Sequence, residues 1–157
     1  MFRNTLAATT GAVAATALVG GVASKETSGP WYGGLRKPAI QPPAAAFPVV
    51  WTALYAGIAV ASAVALEKAE ATTARSYRRA LGANLVLNAS WTWVFFKAHR
   101  IGPATGVAAA LALSSTDLAR RAGRIDRRTG WGLAPYAGWC GFATVLTAAI
   151  GRANADR

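Results

Sequence analysis

Two amide side chains and two aromatic rings recur at helical spacing within an apolar stretch near the middle of the chain. They are, in order, Asn84, Asn88, Trp91 and Phe95. Steps of four, three and four residues place all of them on one face of a helix. An amide among apolar groups is costly unless it finds a hydrogen-bond partner. Two explanations stay open: hydrogen bonds between packed helices, or a polar and aromatic stripe that lines a ligand cavity.

A second group of candidate residues lies in the segment "WYGGLRKPAIQPPAAAFPVVW", which runs from Trp31 to Trp51. Its prolines would stiffen a loop and reduce the entropy lost when that loop closes over a ligand. Arg36 and Lys37 could pair with carboxylates at the mouth of a pocket. The alternative is that the prolines only shape the turn, the cations meet lipid phosphate and the tryptophans form an interfacial belt.

A third stripe at helical spacing lies near the C-terminus and consists of Tyr136, Cys140, Ala143 and Thr147. Trp139 and Leu146 lie beside it. Trp139 lies deep inside an apolar segment, so we expect it to pack internally or to meet a ligand. Trp131, near the start of the segment, is placed as an ordinary interface anchor would be.

Conventional hydrolytic or metal catalysis has no candidate residues in this sequence. The single histidine, His99, lies between Lys97 and Arg100 at the end of an apolar run, and metal sites normally need several ligands. The six acidic residues fall mostly at helix ends and in loops. We therefore expect no metal site and no required cofactor, and the lone Cys140 excludes an intrachain disulfide.

The charge pattern indicates which elements must position these groups. Of the 157 residues, 54% are hydrophobic, and 17 are basic against 6 acidic. The cations are concentrated in two clusters, at 75–79 and 120–128, which we expect to lie between apolar helices. A nucleic-acid binder spreads its cations along one surface, whereas a membrane protein confines them to loops. The pattern favours an integral membrane protein with no nucleic-acid partner.

Five apolar stretches predict an all-α bundle of five transmembrane helices in one domain, at about 6–23, 47–66, 81–96, 103–118 and 131–150. The segment 24–46 would form a loop capping the bundle. The first stretch also resembles a cleaved signal peptide, but we expect it to be retained. Ten cations fall on one side of such a bundle and seven on the other, which places the N-terminus in the cytoplasm and the loop outside.

Small residues at every fourth position of the second stretch would let another helix approach closely. They are Ala53, Gly57, Ala61 and Ala65. Because alanine is abundant throughout the chain, chance explains the row equally well.

Three motifs resemble one protein family. The segment "WYGGLRKPAIQPPAAAFPVVWTALY" resembles W-Y-x-x-L-x-K-P-x-x-x-P-P-x-x-x-F-x-x-V-W-x-x-L-Y, the signature of the translocator proteins. These are also called tryptophan-rich sensory proteins or peripheral-type benzodiazepine receptors. "NASWTWVFF" and "PYAGWCGFATVL" resemble the family motifs of the third and fifth helices. The matches occur in order and cover essentially the whole chain.

The resemblance implies a membrane bundle, usually a homodimer, that binds porphyrin or haem-type tetrapyrroles beneath its first loop. Family pocket positions match Trp31, Tyr32, Pro42, Trp51, Asn88, Trp91, Trp139 and Ala143 here. To these we add as ligand-binding candidates Arg36, Lys37, Tyr55, Asn84, Phe95 and Cys140. The alanine- and arginine-rich composition fits a bacterial cell membrane, with lipid as the other partner.

Three functions remain open at this point. The protein could bind tetrapyrroles for trafficking, buffering or sensing. It could degrade porphyrin in light, a reaction for which the family implicates tryptophans at the positions of Trp51 and Trp139. It could also be a purely structural membrane protein. Ala39, Ile40, Ala44 and Ala45 depart from the usual family loop, and the tail lacks a tyrosine of the proposed sterol motif, so cholesterol is a doubtful ligand.

Overall fold

The computed structural model describes residues 1–156, where the regular elements are all helical and no β-strand is present. Five long helices carry the fold, and a short one lies in the first loop. The elements are α1 (Phe2–Ser24), a 3₁₀ turn (Lys25–Ser28), α2 (Pro30–Gly34), α3 (Ala46–Lys68), α4 (Ala71–Thr92) with a final π turn (Trp93–Lys97), α5 (Ile101–Ile125) and α6 (Arg127–Ala153). The all-α prediction is confirmed.

Two helices run well beyond their predicted bounds. Helix α4 begins at Ala71, ten residues before the predicted start, and α5 continues to Ile125 instead of ending near residue 118. The arginine clusters at 75–79 and within 120–124 therefore lie in helices and not in loops. Arginine and alanine are good helix formers, so charge marks where an apolar span ends and not where the helix ends.

Within residues 1–156, three helices are long and apolar enough by length and composition to cross a membrane: α1, α3 and α6. Helices α4 and α5 do not meet that standard, so the predicted count of five spans has direct support for three. A hydropathy average counts every face of a helix equally. Asn84 and Asn88 of α4 and Ser115 of α5 lower the average although all three are buried inside the bundle.

Helices α5 and α6 form a tight hairpin joined at Asp126. The Asp126 carboxylate caps α6 by accepting a hydrogen bond from the Thr129 backbone N–H at 3.1 Å. It also pairs with Lys68 at the end of α3. Hydrogen bonds from Lys68 and Thr129 lower the pKa of Asp126 to about 2. The carboxylate therefore stays charged at neutral pH and ties the ends of three helices together.

The small-residue row of α3 packs partly against α6. Ala61 and Ala65 are buried, and a Cβ built on Gly132 would lie 3.9 Å from the Ala61 Cβ. Ala53, by contrast, is exposed. The row therefore serves packing within the chain over its second half, and only its beginning is free.

Candidate functional site

A cavity of about 790 Å³ lies at the end of the bundle that the first loop covers. The C-terminal parts of α1, α4 and α6 and the N-terminal part of α3 form its walls, and the loop supplies Tyr32, Lys37, Gln41 and Ala44. Helix α5 contributes no residue to the lining. Pockets for small molecules and cofactors span roughly 300–1,000 Å³, so this cavity suits a ligand of cofactor size.

One wall of the cavity is a cluster of aromatic rings from α3 and α6. Trp51 lies 5.4 Å from Tyr55 and 6.5 Å from Trp139 between ring centroids, and the two indoles are perpendicular. Phe47 and Phe142 flank Trp139 at 5.9 and 5.3 Å. These rings give a broad flat ligand aromatic surface on which to stack.

A second aromatic cluster comes from the end of α4 and the loop. Trp91 and Phe95 stack at 5.5 Å with 16° between their planes, and Phe96 meets Tyr32 edge-on at 5.5 Å. The Trp91 indole N–H and the Gln41 amide oxygen are buried and have no hydrogen-bond partner among the described residues. Both residues line the cavity, although these two polar atoms are themselves covered by protein.

The two amides of α4 take different roles. Asn88 lines the cavity, where its Oδ1 accepts from the Tyr55 hydroxyl at 2.8 Å and its Nδ2 donates to the Tyr136 hydroxyl at 3.0 Å. Asn84 lies deeper, donating to Ser115 at 3.0 Å and accepting from Tyr136 at 2.9 Å. The amides link α3, α4, α5 and α6 through hydrogen bonds, and Asn88 also forms part of the cavity wall.

The loop is held against the bundle at two points. Asn154, just after α6, accepts from the Arg36 backbone N–H and donates to the Arg36 carbonyl, both at 2.9 Å. On the other side, Trp31 of α2 stacks on His99 at 4.2 Å. These contacts position the loop over the cavity.

Lys37 is placed at the rim of the cavity. Its ammonium donates to the Tyr32 carbonyl at 2.8 Å and lies 4.5 Å from the centre of the Tyr32 ring. The side chain is exposed and lines the opening, so a carboxylate of a bound ligand would meet a cation there.

Most of the residues proposed from the sequence meet in this cavity. The lining includes Tyr32, Lys37, Trp51, Tyr55, Asn88, Trp91, Phe95, Trp139 and Ala143. Five proposed residues lie outside it: Trp31, Arg36, Pro42, Asn84 and Cys140. Trp31 faces His99, Arg36 meets Asn154 through its backbone, and Cys140 is buried 3.5 Å from the Ser115 hydroxyl. Residues on a shared helical stripe can thus fall at different depths.

No sequence pattern indicated that α1 contributes to the cavity wall. Ala17, Gly20, Gly21 and Ser24 line the cavity, and so do Phe142, Leu146, Thr147 and Ile150 of α6. The α6 residues continue the helical period from Trp139, and the sequence already placed Thr147 on the third stripe and Leu146 beside it. The α1 residues are small and lack any chemical signature beyond the Gly20–Gly21 pair.

The described lining of the cavity is mainly aromatic and apolar. Its described lining holds no histidine, aspartate, glutamate or cysteine. Among residues 1–156, no group of three or more such side chains is placed to hold a metal ion. The site offers flat aromatic faces, an amide and one rim cation, which together fit an apolar plate with a polar or anionic edge.

Comparison with known proteins agrees with the motifs. A model of the TspO/MBR family matches residues 8–153. The chain is 28% identical over 144 residues to protein CrtK of Rhodobacter capsulatus, covering 89% of this chain and 88% of that protein. It is 31% identical over 127 residues to a tryptophan-rich sensory protein of Cereibacter sphaeroides, covering 81% and 78%.

A third relative is the uncharacterised membrane protein YtaB of Bacillus subtilis, 28% identical over 124 residues, with 79% of this chain and 80% of that protein covered. The family resemblance drawn from the three motifs is confirmed, because the family model spans nearly the whole chain. The protein is therefore a member of the TspO/MBR family of membrane proteins.

Proposed function

We propose that this protein binds a porphyrin or haem-type tetrapyrrole in the cavity beneath its first loop, for trafficking, buffering or sensing. The observation that carries the proposal is the cavity itself: two aromatic clusters face one space of about 790 Å³, and Lys37 lies at its rim. A porphyrin is a broad apolar plate with carboxylates on one edge. Aromatic faces would stack on the plate, and the rim cation would meet the carboxylates.

The proposal includes a membrane setting in which all five long helices span the bilayer. The polar groups of α4 and α5 support this, because Asn84, Asn88 and Ser115 are hydrogen-bonded inside the bundle and would not face lipid. Large apolar side chains such as Val86 of α4 and Leu113 of α5 are exposed on the outer surface instead. Homodimer formation in a bacterial cell membrane belongs to the same proposal.

Titration with protoporphyrin IX in dark and in light tests the function. Binding predicts a saturable shift of the porphyrin absorbance that is stable in the dark. Bleaching that needs both protein and light would instead favour porphyrin degradation. The neighbouring indoles of Trp51 and Trp139 would be candidate oxidisable groups in that case. No spectral change would contradict the proposal and leave a structural role.

Replacing Lys37 by glutamine should weaken protoporphyrin binding slightly, whereas Arg36→Gln should leave it unchanged. Lys37 lines the rim and Arg36 does not. An exposed ion pair contributes about 0.2–1 kcal/mol, so the expected loss is up to about fivefold. The dimethyl ester of protoporphyrin should bind parent and Lys37→Gln equally well. Equal losses in both variants, or a loss that persists with the ester, would contradict a Lys37–carboxylate pair.

Cysteine labelling tests the orientation, with the N-terminus expected in the cytoplasm. In a Cys140→Ala background, Gly33→Cys should react with an impermeant maleimide in intact cells. Thr72→Cys, at the opposite end of the bundle, should react only after permeabilisation. Both positions are exposed, so access to reagent decides the result. The reverse pattern would invert the orientation.

A further inference from the structure

The cavity is exposed on one side of the bundle only. The lining residues of α4 and α6 are all buried or half-buried. The exposed lining residues belong to α1, the following loop and α3: Gly21, Thr27, Ser28, Lys37, Ala44, Pro48 and Thr52. The opening therefore runs from the loop down between α1 and α3.

The course of α1 explains this opening. In its first half α1 packs on α3, where the Thr9 hydroxyl donates to the Ala59 carbonyl at 2.9 Å. In its second half it packs on α4, where the Trp93 indole N–H donates to the Val19 carbonyl at 3.0 Å. Helix α1 thus leaves α3 and crosses to α4, and a gap opens between the second half of α1 and the start of α3.

Two adjacent glycines show both sides of the crossing. A Cβ on Gly20 would lie 3.3 Å from the Thr92 hydroxyl oxygen of α4, whereas a Cβ on Gly21 would meet nothing within 4 Å. Gly20 is the point of close contact, and Gly21 borders open space. Because Gly21 also lines the cavity, that space leads inside.

The slit extends below the loop. Thr52 is six residues into α3, which begins at Ala46, and at 1.5 Å per residue this places it about 9 Å along the helix. At this level the edges of the slit are uncharged. The neighbouring exposed side chains are apolar: Leu18 and Val22 of α1 and Val49 of α3. Such a surface faces lipid and not water once the helices span a bilayer.

We propose that the slit between α1 and α3 is a lateral portal, through which the ligand exchanges directly with the lipid leaflet. The inference rests on the proposed tetrapyrrole binding and adds the route by which the ligand enters and leaves the cavity. An apolar porphyrin concentrates in lipid, so a lateral route avoids transfer through water. It also leaves the loop in place, and the loop is fastened by Asn154 and by the Trp31–His99 stack.

A reversible plug tests the portal. Gly21→Cys should fold normally, because its side chain would enter open space. The folded protein in vesicles is reacted with a bulky methanethiosulfonate reagent, which reductant later removes. Gly11→Cys is the matched control, since Gly11 is also exposed on α1, has nothing within 4 Å of its Cβ and lies away from the cavity. The parent protein, in which Cys140 is buried, is treated with the same reagent to control for labelling at that residue.

Protoporphyrin delivered from donor vesicles provides the readout. The reagent on Gly21→Cys should slow uptake by at least about tenfold, and reductant should restore the rate. Release from protein loaded before labelling should slow in parallel, while the reagent on Gly11→Cys changes neither rate. Unchanged uptake, or release that is unchanged or accelerated, would overturn the portal. A parent that fails to bind protoporphyrin would instead overturn the proposed function.

Discussion

Replacing Trp51 by alanine should weaken protoporphyrin binding by about fivefold or more. The Trp51 indole lines the cavity and contacts Tyr55, Tyr136 and Trp139 at centroid distances of 5.4, 6.5 and 6.5 Å. A lost aromatic pair costs about 0.5–1.5 kcal/mol beyond the area buried, and about 1.4 kcal/mol corresponds to tenfold in affinity. Trp51→Phe should keep most of the affinity, because it keeps a flat ring in the same wall.

Trp131→Ala is the matched control for this measurement. Trp131 is the same residue type, is 69% exposed and is not part of the cavity lining. Its replacement should leave the protoporphyrin affinity unchanged in an absorbance titration. Circular dichroism of each variant would establish that the helices are retained. If Trp51→Ala and Trp131→Ala bind protoporphyrin equally well, the aromatic wall does not hold the ligand.

Replacing Gly130 by alanine should destabilise the protein by about 1–3 kcal/mol, the usual cost of overpacking a tight contact. A Cβ at this position would lie 2.6 Å from the Gly123 Cα, 2.9 Å from the Gly123 nitrogen and 3.0 Å from the Ala119 carbonyl oxygen. All three atoms are backbone atoms of α5. No side chain can rotate away, so the whole α5–α6 hairpin must open slightly to admit one methyl group.

Gly138→Ala is the control for the hairpin, because it makes the same change in the same helix. Its Cβ would meet nothing within 4 Å, and the residue is exposed. Replacing a glycine inside a helix by alanine, where there is room for the methyl group, should leave the stability of the protein unchanged or raise it by up to about 1 kcal/mol. The midpoint of thermal unfolding in detergent compares the two variants. A Gly130→Ala midpoint equal to the parent's would show that the backbones do not touch as described.

The helical class and the family can be predicted from the sequence, because both depend on local patterns. Apolar length indicates helices, and the three motifs carry the family without reference to packing. The predicted start of α4 and the predicted end of α5 were wrong, since hydropathy reports only the apolar span and arginines such as Arg78 and Arg120 extend a helix beyond it. The mean hydropathy of these two helices is also lowered by polar side chains that form hydrogen bonds inside the bundle and do not face lipid.

The candidate site, too, could be predicted only in part from the sequence. Periodicity put Asn84 and Asn88 on one face, but only the packing of α3 and α6 made Asn88 cavity wall and Asn84 an interior link. Likewise, the sequence offered Arg36 and Lys37 as equivalent cations. In the structure, the backbone of Arg36 is hydrogen-bonded to Asn154, and only Lys37 lies at the rim of the cavity.

By itself, the sequence determined an α-helical membrane protein of one family, with its tryptophans, amides and loop cations as candidates for a ligand site. Only the tertiary structure decided that these residues enclose one cavity, that α1 supplies part of its wall, and that the wall opens between α1 and α3. The physical reason is that helix periodicity depends on near neighbours in the chain. The crossing of α1 from α3 to α4 depends instead on contacts between distant residues, such as Thr9 with Ala59 and Val19 with Trp93.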